Sequence, residues 1–99
     1  MQTEPIVSFN PDTASAFLAV IGNSIRLRTL IALSAGESDV GSLAAELHIA
    51  QSAISQHLGK LKDADLVPSR RDGKRIVYSL YDRRVLTTLW MLETMFPDH

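Results

Sequence analysis

Hydrophobic side chains recur every three or four residues in five segments of this 99-residue chain, the spacing of amphipathic helices. Four of the predicted helices precede residue 65, and the fifth covers residues 82–96. Between the fourth and fifth helices, residues 66–71 and 76–81 have the extended character of strands and flank the hairpin signal Asp72-Gly73. Side chains suited to capping precede four of the helices: Asn10, Asn23 or Ser24, Ser38 or Asp39, and Asp82.

The predicted order is therefore four helices, two strands and a final helix, a mainly α fold with a two-stranded β-wing. Two short helices joined by the turn His48-Ile49-Ala50 and followed by a hairpin form a winged helix-turn-helix. A chain of 99 residues builds one hydrophobic core, so we predict a single domain over residues 1–99. Its parts are an N-terminal arm (1–9), a helix-turn-helix (38–64), a wing (66–81) and a dimerisation helix (82–96).

The fourth predicted helix contains the stretch QSAISQHLGKL, residues 51–61, whose apolar side is narrow. At about 100° per residue, Ile54, Leu58 and Leu61 fall within roughly 40° of one direction. A solvated helix face ordinarily carries Glu and Lys pairs, and it avoids glycine because glycine costs up to about 1 kcal/mol there. Here the remaining sides carry small or hydrogen-bonding residues: Ser52, Ser55, Gln56, Gly59 and Lys60.

These side chains have the chemistry that reads base edges and phosphates in a DNA groove. Glutamine pairs with adenine, serine bonds to bases or phosphates, lysine adds charge, and glycine allows close approach. His57 lies about 60° from the apolar stripe, so we predict a packing or hydrogen-bonding residue rather than a DNA contact or a metal ligand. The predicted DNA contacts of this helix are Gln51, Ser52, Ser55, Gln56 and Lys60.

Positive charge is concentrated in this helix and the hairpin, although the net charge of the chain is only −1. Residues 51–75 hold six basic and three acidic side chains, a net charge of +3, whereas residues 1–50 carry −3. A local basic patch of this kind attracts nucleic acid. The alternative for the hairpin is that its cations protect an exposed strand edge. We favour phosphate or minor-groove contacts by Arg70, Arg71, Lys74 and Arg75.

The last predicted helix is apolar over most of its circumference. Val85, Leu89, Leu92 and Phe96 form one stripe, and further apolar residues flank it on both sides. Such a helix buries more than one face, so we predict a homodimer through the first and last helices. Two-fold symmetry then places two helix-turn-helix units about one DNA turn apart. The predicted interface residues are Phe17, Val20, Ile21, Leu86, Leu89, Trp90, Met91 and Met95.

The residue types present exclude several classes of function. The chain has no cysteine, which rules out disulfides, thiolate metal sites and thiol redox chemistry. It has no nucleophile motif, no phosphate-binding loop and no His–carboxylate pair at a useful spacing, so we predict no catalytic residue and no cofactor. Without a signal peptide or a run of about eighteen apolar residues, we predict a cytoplasmic protein with no membrane partner.

Three stretches resemble the ArsR/SmtB family of bacterial winged-helix repressors: GNSIRLRTLIAL (22–33), LAAELHIAQSAISQHLGKLKDADLV (43–67) and RRDGKRIVYSLYD (70–82). The sequence of residues 51–58 is similar to that of the metal-independent nodulation-repressor branch of the family. The resemblance implies a homodimer that represses by occluding an operator, expected to be an inverted repeat in double-stranded DNA. An ion or small-molecule inducer often weakens DNA binding in this family. The resemblance also implies that Arg26, at the start of the second helix, supports the DNA-facing surface.

Two metal sites that the family often carries lack their ligands here, so we predict no metal site. The positions of a Cys-Val-Cys motif hold Asp39-Val40-Gly41, which cannot replace two thiolates. At the last helix Asp82 is kept, but the family's histidine position is Arg84, whose charge repels a metal ion. Two alternatives stay open: a zinc-, nickel- or cobalt-responsive repressor with a weak site of Asp82, Asp98 and His99, and a winged-helix module that binds only protein.

Overall fold

A computed structural model describes residues 3–98 of the chain, and residues 3–10 lie outside any helix or strand. The predicted order of helices and hairpin strands is confirmed, with one short strand added before the third helix. In chain order the elements are α1 (Pro11–Ile21), α2 (Ser24–Ala35), β1 (Ser38–Asp39), α3 (Val40–Leu47), α4 (Gln51–Asp63), β2 (Ser69–Asp72), β3 (Arg75–Tyr78) and α5 (Arg83–Met95).

Four helices begin at the polar caps that the sequence predicts. Asn10, Asn23, Asp39 and Asp82 each accept at least one hydrogen bond from a backbone amide of the following turn. Helix α4 differs, because it follows Ala50 and no side chain in the described part of the chain caps it.

The core lies between α4 and the helices that precede it in the chain. Ile54, Leu58 and Leu61 of α4 are 0% exposed, and α4 packs against α2 and α3. Because these three side chains occupy one side of α4, their burial fixes the rotation of α4 about its axis. The hydrogen-bonding side of α4 consequently points away from the core. Other buried core residues include Leu30, Leu33, Leu43, Leu66, Val67, Leu80 and Val85.

The wing is shorter than predicted and contains a third strand. Strands β2 and β3 are antiparallel and are joined by a two-residue loop, in which Gly73 adopts φ +64°. Strand β1 pairs with the other edge of β3, which gives the sheet order β1-β3-β2. The predicted second strand was too long, because Ser79 and Leu80 leave the sheet and are buried against the domain. A strand of two residues, such as β1, is too short to show alternation in a sequence.

Helix α5 buries only one side chain, Val85, completely within its own domain. Phe96, predicted to lie on the same apolar stripe as Val85, is 73% exposed. The reason is a groove of about 930 Å³ between α2 and α5, whose lining includes Ile31, Trp90 and Phe96. The C-terminal part of α5 therefore lacks a packing partner from its own domain along this groove.

The predicted dimer residues divide into three groups. Ile21 is only 3% exposed, because α1 uses this side chain in the core of its own domain, so little of it is left for a second copy to contact. Trp90 and Met95 are 64% and 58% exposed, and Met91 is similarly accessible. The remaining predicted residues are half-buried: Phe17, Val20, Leu86 and Leu89.

Helices α1 and α2 meet at 85°, and Arg26 fills the corner between them. Its guanidinium donates hydrogen bonds to the carbonyl oxygens of Ala19 and Val20, near the end of α1. Its Nη1 also lies 3.0 Å from Nδ1 of His57 on α4. Arginine has no acceptor, so Nδ1 of His57 accepts this bond and the ring proton sits on Nε2. None of the described helices alone is long and apolar enough to cross a membrane; α1 and α2 would qualify only as a bent pair.

The environment of His57 favours its neutral form. Burial is the main cause, and the charges of Arg26 and Lys60 add to it, so the pKa of His57 lies below its ordinary value of 6.5. A protonated ring would also lose the acceptor that Arg26 uses. The predicted hydrogen-bonding role of His57 is confirmed.

We expect His57 to make the stability of the protein depend on pH. The folded state has the lower pKa, so the unfolded state takes up the proton first as the pH falls. The contribution is therefore complete above the unfolded pKa of about 6.5 and is lost as the pH falls through the depressed folded pKa. Urea unfolding between about pH 7.5 and pH 5 should show a larger loss for wild type than for His57→Gln. His48→Asn, at an exposed position, is the control; equal pH dependence in wild type and His57→Gln would exclude this role.

Candidate nucleic-acid interface

Helix α4 presents a polar face to solvent. Its predicted contact residues Gln51, Ser52, Ser55, Gln56 and Lys60 are all exposed. Gly59 lies on the same side, and a Cβ built there meets no heavy atom within 4 Å in the described chain. Packing inside the domain therefore does not require glycine at this position. The face is a row of hydrogen-bonding groups on a helix whose opposite side is anchored in the core.

The start of α4 adds backbone donors to this face. Every other helix has a capping side chain, but Ala50 at the start of α4 has none to offer. Gln51 and Ser52 are exposed in the first turn. Uncapped amides at a helix start point along the axis and suit phosphate oxygens. The sequence carries the signal for this, since alanine stands where the other helices have Asn or Asp.

The polar face of α4 and the wing border the same cleft. A hollow of about 350 Å³ is lined by Ser55 of α4, by Lys74 and Arg75 of the hairpin, and by the start of α3. The structure thus brings together the two segments that the sequence predicted as separate contact regions. A groove-bound helix and a flanking basic ribbon are the two arms of a winged helix on DNA.

Two of the four predicted wing cations are already paired with carboxylates. Arg70 Nη2 lies 2.6 Å from Glu37 Oε1. Arg75 Nη1 lies 2.8 Å from Asp39 Oδ2, and its Nη2 lies 3.2 Å from Asp72 Oδ2. Hydrogen bonding to Asp72, and then the charge of Asp39, raises the pKa of Arg75 above its ordinary value. Counting charge by segment could not reveal these pairs, because Glu37 and Asp39 belong to the acidic first half of the chain.

Arg71 and Lys74 are the wing cations with the most freedom to meet a ligand. Both are exposed, and neither has a carboxylate within ion-pair distance in residues 3–98. Lys74 stands in the hairpin loop next to Gly73. The structure therefore separates the predicted wing set into two free cations and two that are engaged within the protein.

Arg26 does not reach the outward face of α4. Its guanidinium is held behind that helix by Ala19, Val20 and His57. This placement ties α4 to the end of α1 and fits a supporting position for the DNA-facing surface rather than one in the row of exposed contacts.

Asp82, at which the family resemblance would imply a metal ligand, is engaged here by protein groups. Asp82 Oδ1 accepts from the amides of Arg84 and Val85 at 2.9 and 3.1 Å, and Oδ2 accepts from Arg84 Nη2 at 2.9 Å. The Arg84 hydrogen bond is the main cause that lowers the pKa of Asp82. Arg84 also lies 5.3 Å above the ring of Phe17. Within residues 3–98 no three His, Asp or Glu side chains are placed to hold a metal ion, and His99 lies outside the described residues.

Comparison with known proteins connects this geometry to a family. The sequence pattern of the "bacterial regulatory protein, arsR family" matches residues 23–69. Nodulation protein NolR of Rhizobium meliloti is 40% identical over 87 residues, which are 88% of this chain and 71% of the relative. The transcriptional activator HlyU of Vibrio cholerae is 32% identical over 87 residues, which are 88% of this chain and 81% of the relative.

A solved structure agrees with these sequence matches. The crystal structure of NolR from Sinorhizobium fredii matches with a TM-score of 0.80 and 35% identity, over 92% of this chain and 97% of that one. These relatives are regulators of transcription rather than enzymes, and they share both the sequence and the fold of this chain. The chain belongs to the ArsR family of winged helix-turn-helix proteins and is a DNA-binding transcriptional regulator.

Proposed function

We propose that this regulator is a cytoplasmic repressor that binds an inverted-repeat operator as a homodimer, without a metal or a cofactor. The observation that carries the proposal is the exposed row of Ser52, Ser55 and Gln56 on α4, opposite a fully buried stripe. These side chains have no competing partner among the side-chain hydrogen bonds of the described residues. They are available to base edges and phosphates in a major groove.

The side chains of the interface have different tasks in this proposal. Gln56 is central on the exposed side and long enough to pair with an adenine edge, whereas the serines bond to bases or phosphates. Lys60, Arg71 and Lys74 supply charge for phosphates around the reading face. Arg70 and Arg75 reach phosphates only by leaving their carboxylates.

The dimer follows from the apolar surface that one domain leaves uncovered. The side chains that are more than half exposed include Trp90, Met91 and Met95 on α5, Phe96 directly after it, and Leu18 on α1. Leu18 was not predicted from the sequence. Large apolar side chains exposed in this number are typical of a subunit interface. A two-fold axis at α1 and α5 sets the two α4 helices at half-sites about 10 base pairs apart, and a dimer on the operator excludes other proteins from it.

Gln56→Ala should relax sequence preference without unfolding the protein. The operator is first selected from random duplexes by wild-type protein. On that operator the variant should lose about 1–3 kcal/mol of discrimination at one base pair in each half-site. Lys60→Ala is the contrasting variant: it should weaken all duplexes alike and make the salt dependence less steep. Gln56→Ala binding with unchanged preference would remove glutamine from the reading role.

The same variant tests the sign of regulation in cells. With the selected site overlapping a promoter, wild type should lower reporter transcription and Gln56→Ala should restore it. Because the Vibrio relative is named an activator, raised transcription is the outcome that would replace repression by activation.

Gly59→Ala separates the stability of α4 from its approach to DNA. Alanine should raise the free energy of unfolding by about 0.5–1 kcal/mol, because it favours the helix and has open space around it. If Gly59 lies close to the DNA backbone, the added methyl group should weaken operator binding at the same time. A more stable variant with unchanged affinity would show that this glycine does not serve close approach. Urea unfolding and operator titration measure the two effects.

Met91→Glu combined with Met95→Glu should convert the dimer to monomers. Both side chains are more than half exposed in one domain, so the charges leave the domain folded but block an apolar contact. Light scattering should give about twice the chain mass of 10.9 kDa for wild type and the single mass for the variant. Ala45→Glu, at an exposed position of α3, is the matched control. A wild-type chain that is monomeric at working concentration would contradict the dimer.

A further inference from the structure

Asp39 holds two parts of the protein with its two carboxylate oxygens. Oδ1 accepts a hydrogen bond of 2.8 Å from the amide of Ser42 and thereby caps α3, the first helix of the helix-turn-helix. Oδ2 lies 2.8 Å from Nη1 of Arg75, at the start of β3, and also accepts from Ser42 Oγ at 3.1 Å. The Ser42 amide is the main cause of a lowered pKa for Asp39, and Arg75 adds to it. The Asp39 side chain is only 14% exposed.

Arg75 also makes two contacts, because both terminal nitrogens of its guanidinium donate hydrogen bonds to carboxylates. Nη1 contacts Asp39 and Nη2 contacts Asp72, the residue opposite Arg75 across the hairpin. The planar fork of arginine suits this double contact, whereas the single ammonium of lysine cannot reproduce it. We call the contact between Asp39 and Arg75 the 39–75 bridge.

The backbone alone secures only the base of the wing. Strand β1 pairs Ser38 with Tyr78 and Asp39 with Val77, and it ends there. Arg75 lies two residues nearer the hairpin loop on the same side of β3 as Val77, so it is the diagonal neighbour of Asp39. The 39–75 bridge thus extends the connection from the base of the wing toward its tip.

The surroundings of the bridge link it to the reading helix. A Cβ on Gly41 would stand 3.4 Å from Asp39 Oδ1 and 3.7 Å from Gln51 Nε2, so the carboxylate lies close to the start of α4. Arg75 and Lys74 border the same cleft as Ser55 of α4. The position of the wing in this cleft decides where Lys74 lies relative to the exposed face of α4.

We propose that Asp39 and Arg75 position the wing against the helix-turn-helix, so that Arg75 acts through this contact rather than by binding DNA phosphate. The proposal rests on the DNA-reading function of α4 and the wing. An Arg75 that moved to a phosphate would leave Asp39 largely buried, without its cation, and close to the negative DNA backbone. Keeping the bridge avoids that arrangement and leaves Arg71 and Lys74 for the phosphates.

Arg75→Lys tests the proposal because it keeps the charge and removes the fork. Binding to the operator selected by wild type should weaken by about fivefold, the upper size expected for loss of a partly exposed ion pair. Binding to random duplex should stay unchanged, because that binding depends on charge alone. Arg83→Lys, at an exposed position of α5 outside the proposed DNA contacts, is the matched control and should bind the operator within about twofold of wild type. If Arg75→Lys also binds the operator like wild type, the fork of Arg75 is not required and the proposal is wrong.

Asp39→Asn distinguishes the two alternative roles of Arg75, because they predict opposite changes in operator affinity. Asparagine caps a helix about as well as aspartate, so α3 keeps its start while the charged contact is lost. If the bridge positions the wing, operator binding weakens. If Arg75 binds phosphate, binding tightens, because Arg75 is released and a negative charge is removed. Asp72→Asn removes the same charge from the other end of Arg75, leaves α3 untouched, and should not weaken binding.

A measurement without DNA keeps this test independent of the operator. The chain has no cysteine, so spin labels at Lys74→Cys and Glu46→Cys report only the distance between the wing and α3. In labelled chain diluted with unlabelled chain, the distance distribution should broaden in Asp39→Asn and Arg75→Lys but not in Asp72→Asn. Unchanged distributions in all three variants overturn the proposal. Broadened distributions together with a wild type that selects no DNA site would reject the reading function and retain the bridge.

Discussion

The rotation of α4 is the constraint on which the other features depend. Three side chains on one side of this helix are fully buried: Ile54, Leu58 and Leu61. Burial of each stabilises the fold by about 1.5–3 kcal/mol, whereas a single hydrogen bond contributes about 1 kcal/mol. Turning α4 by one residue would expose part of this stripe, so no polar contact on the outer side can compete with it. Packing in the core therefore determines which side chains of α4 face a ligand, and the exposed side chains remain available to bind it.

The wing is held by weaker forces than α4. Its base pairs with a two-residue strand and buries Val77, whereas Arg70 and Arg75 connect it further to the domain through ion pairs with Glu37 and Asp39. Partly exposed ion pairs contribute at most about 1 kcal/mol each. The reading helix is consequently rigid, while the wing can respond to small changes in charge. We therefore expect the wing, rather than α4, to change position when the protein binds DNA. The carboxylates that limit this change, Glu37 and Asp39, lie before α3.

Local patterns predicted most of the fold, and contacts between distant residues account for what was missed. Helix spacing, the caps at Asn10 and Asp82 and the turn at Gly73 each depend on a few neighbouring residues, and the structure has them all. The pairing of Arg75 with Asp39 joins residues 36 positions apart, which no periodicity reveals. The burial of Ile21 is of the same kind, because the helical pattern shows an apolar side but not which neighbour covers it.

The two positions at which the family resemblance implies metal ligands share one feature here. Asp39, in place of the first thiolate, is paired with Arg75, and Asp82, the retained carboxylate, is paired with Arg84. Each carboxylate also caps the helix that follows it. At both positions a guanidinium supplies the positive charge that a metal ion would supply, and it is covalently part of the chain. Because these cations belong to the chain, the pairing at α3 and α5 does not depend on the supply of a metal ion. Any signal that alters DNA binding through these two positions has to act on an ion pair.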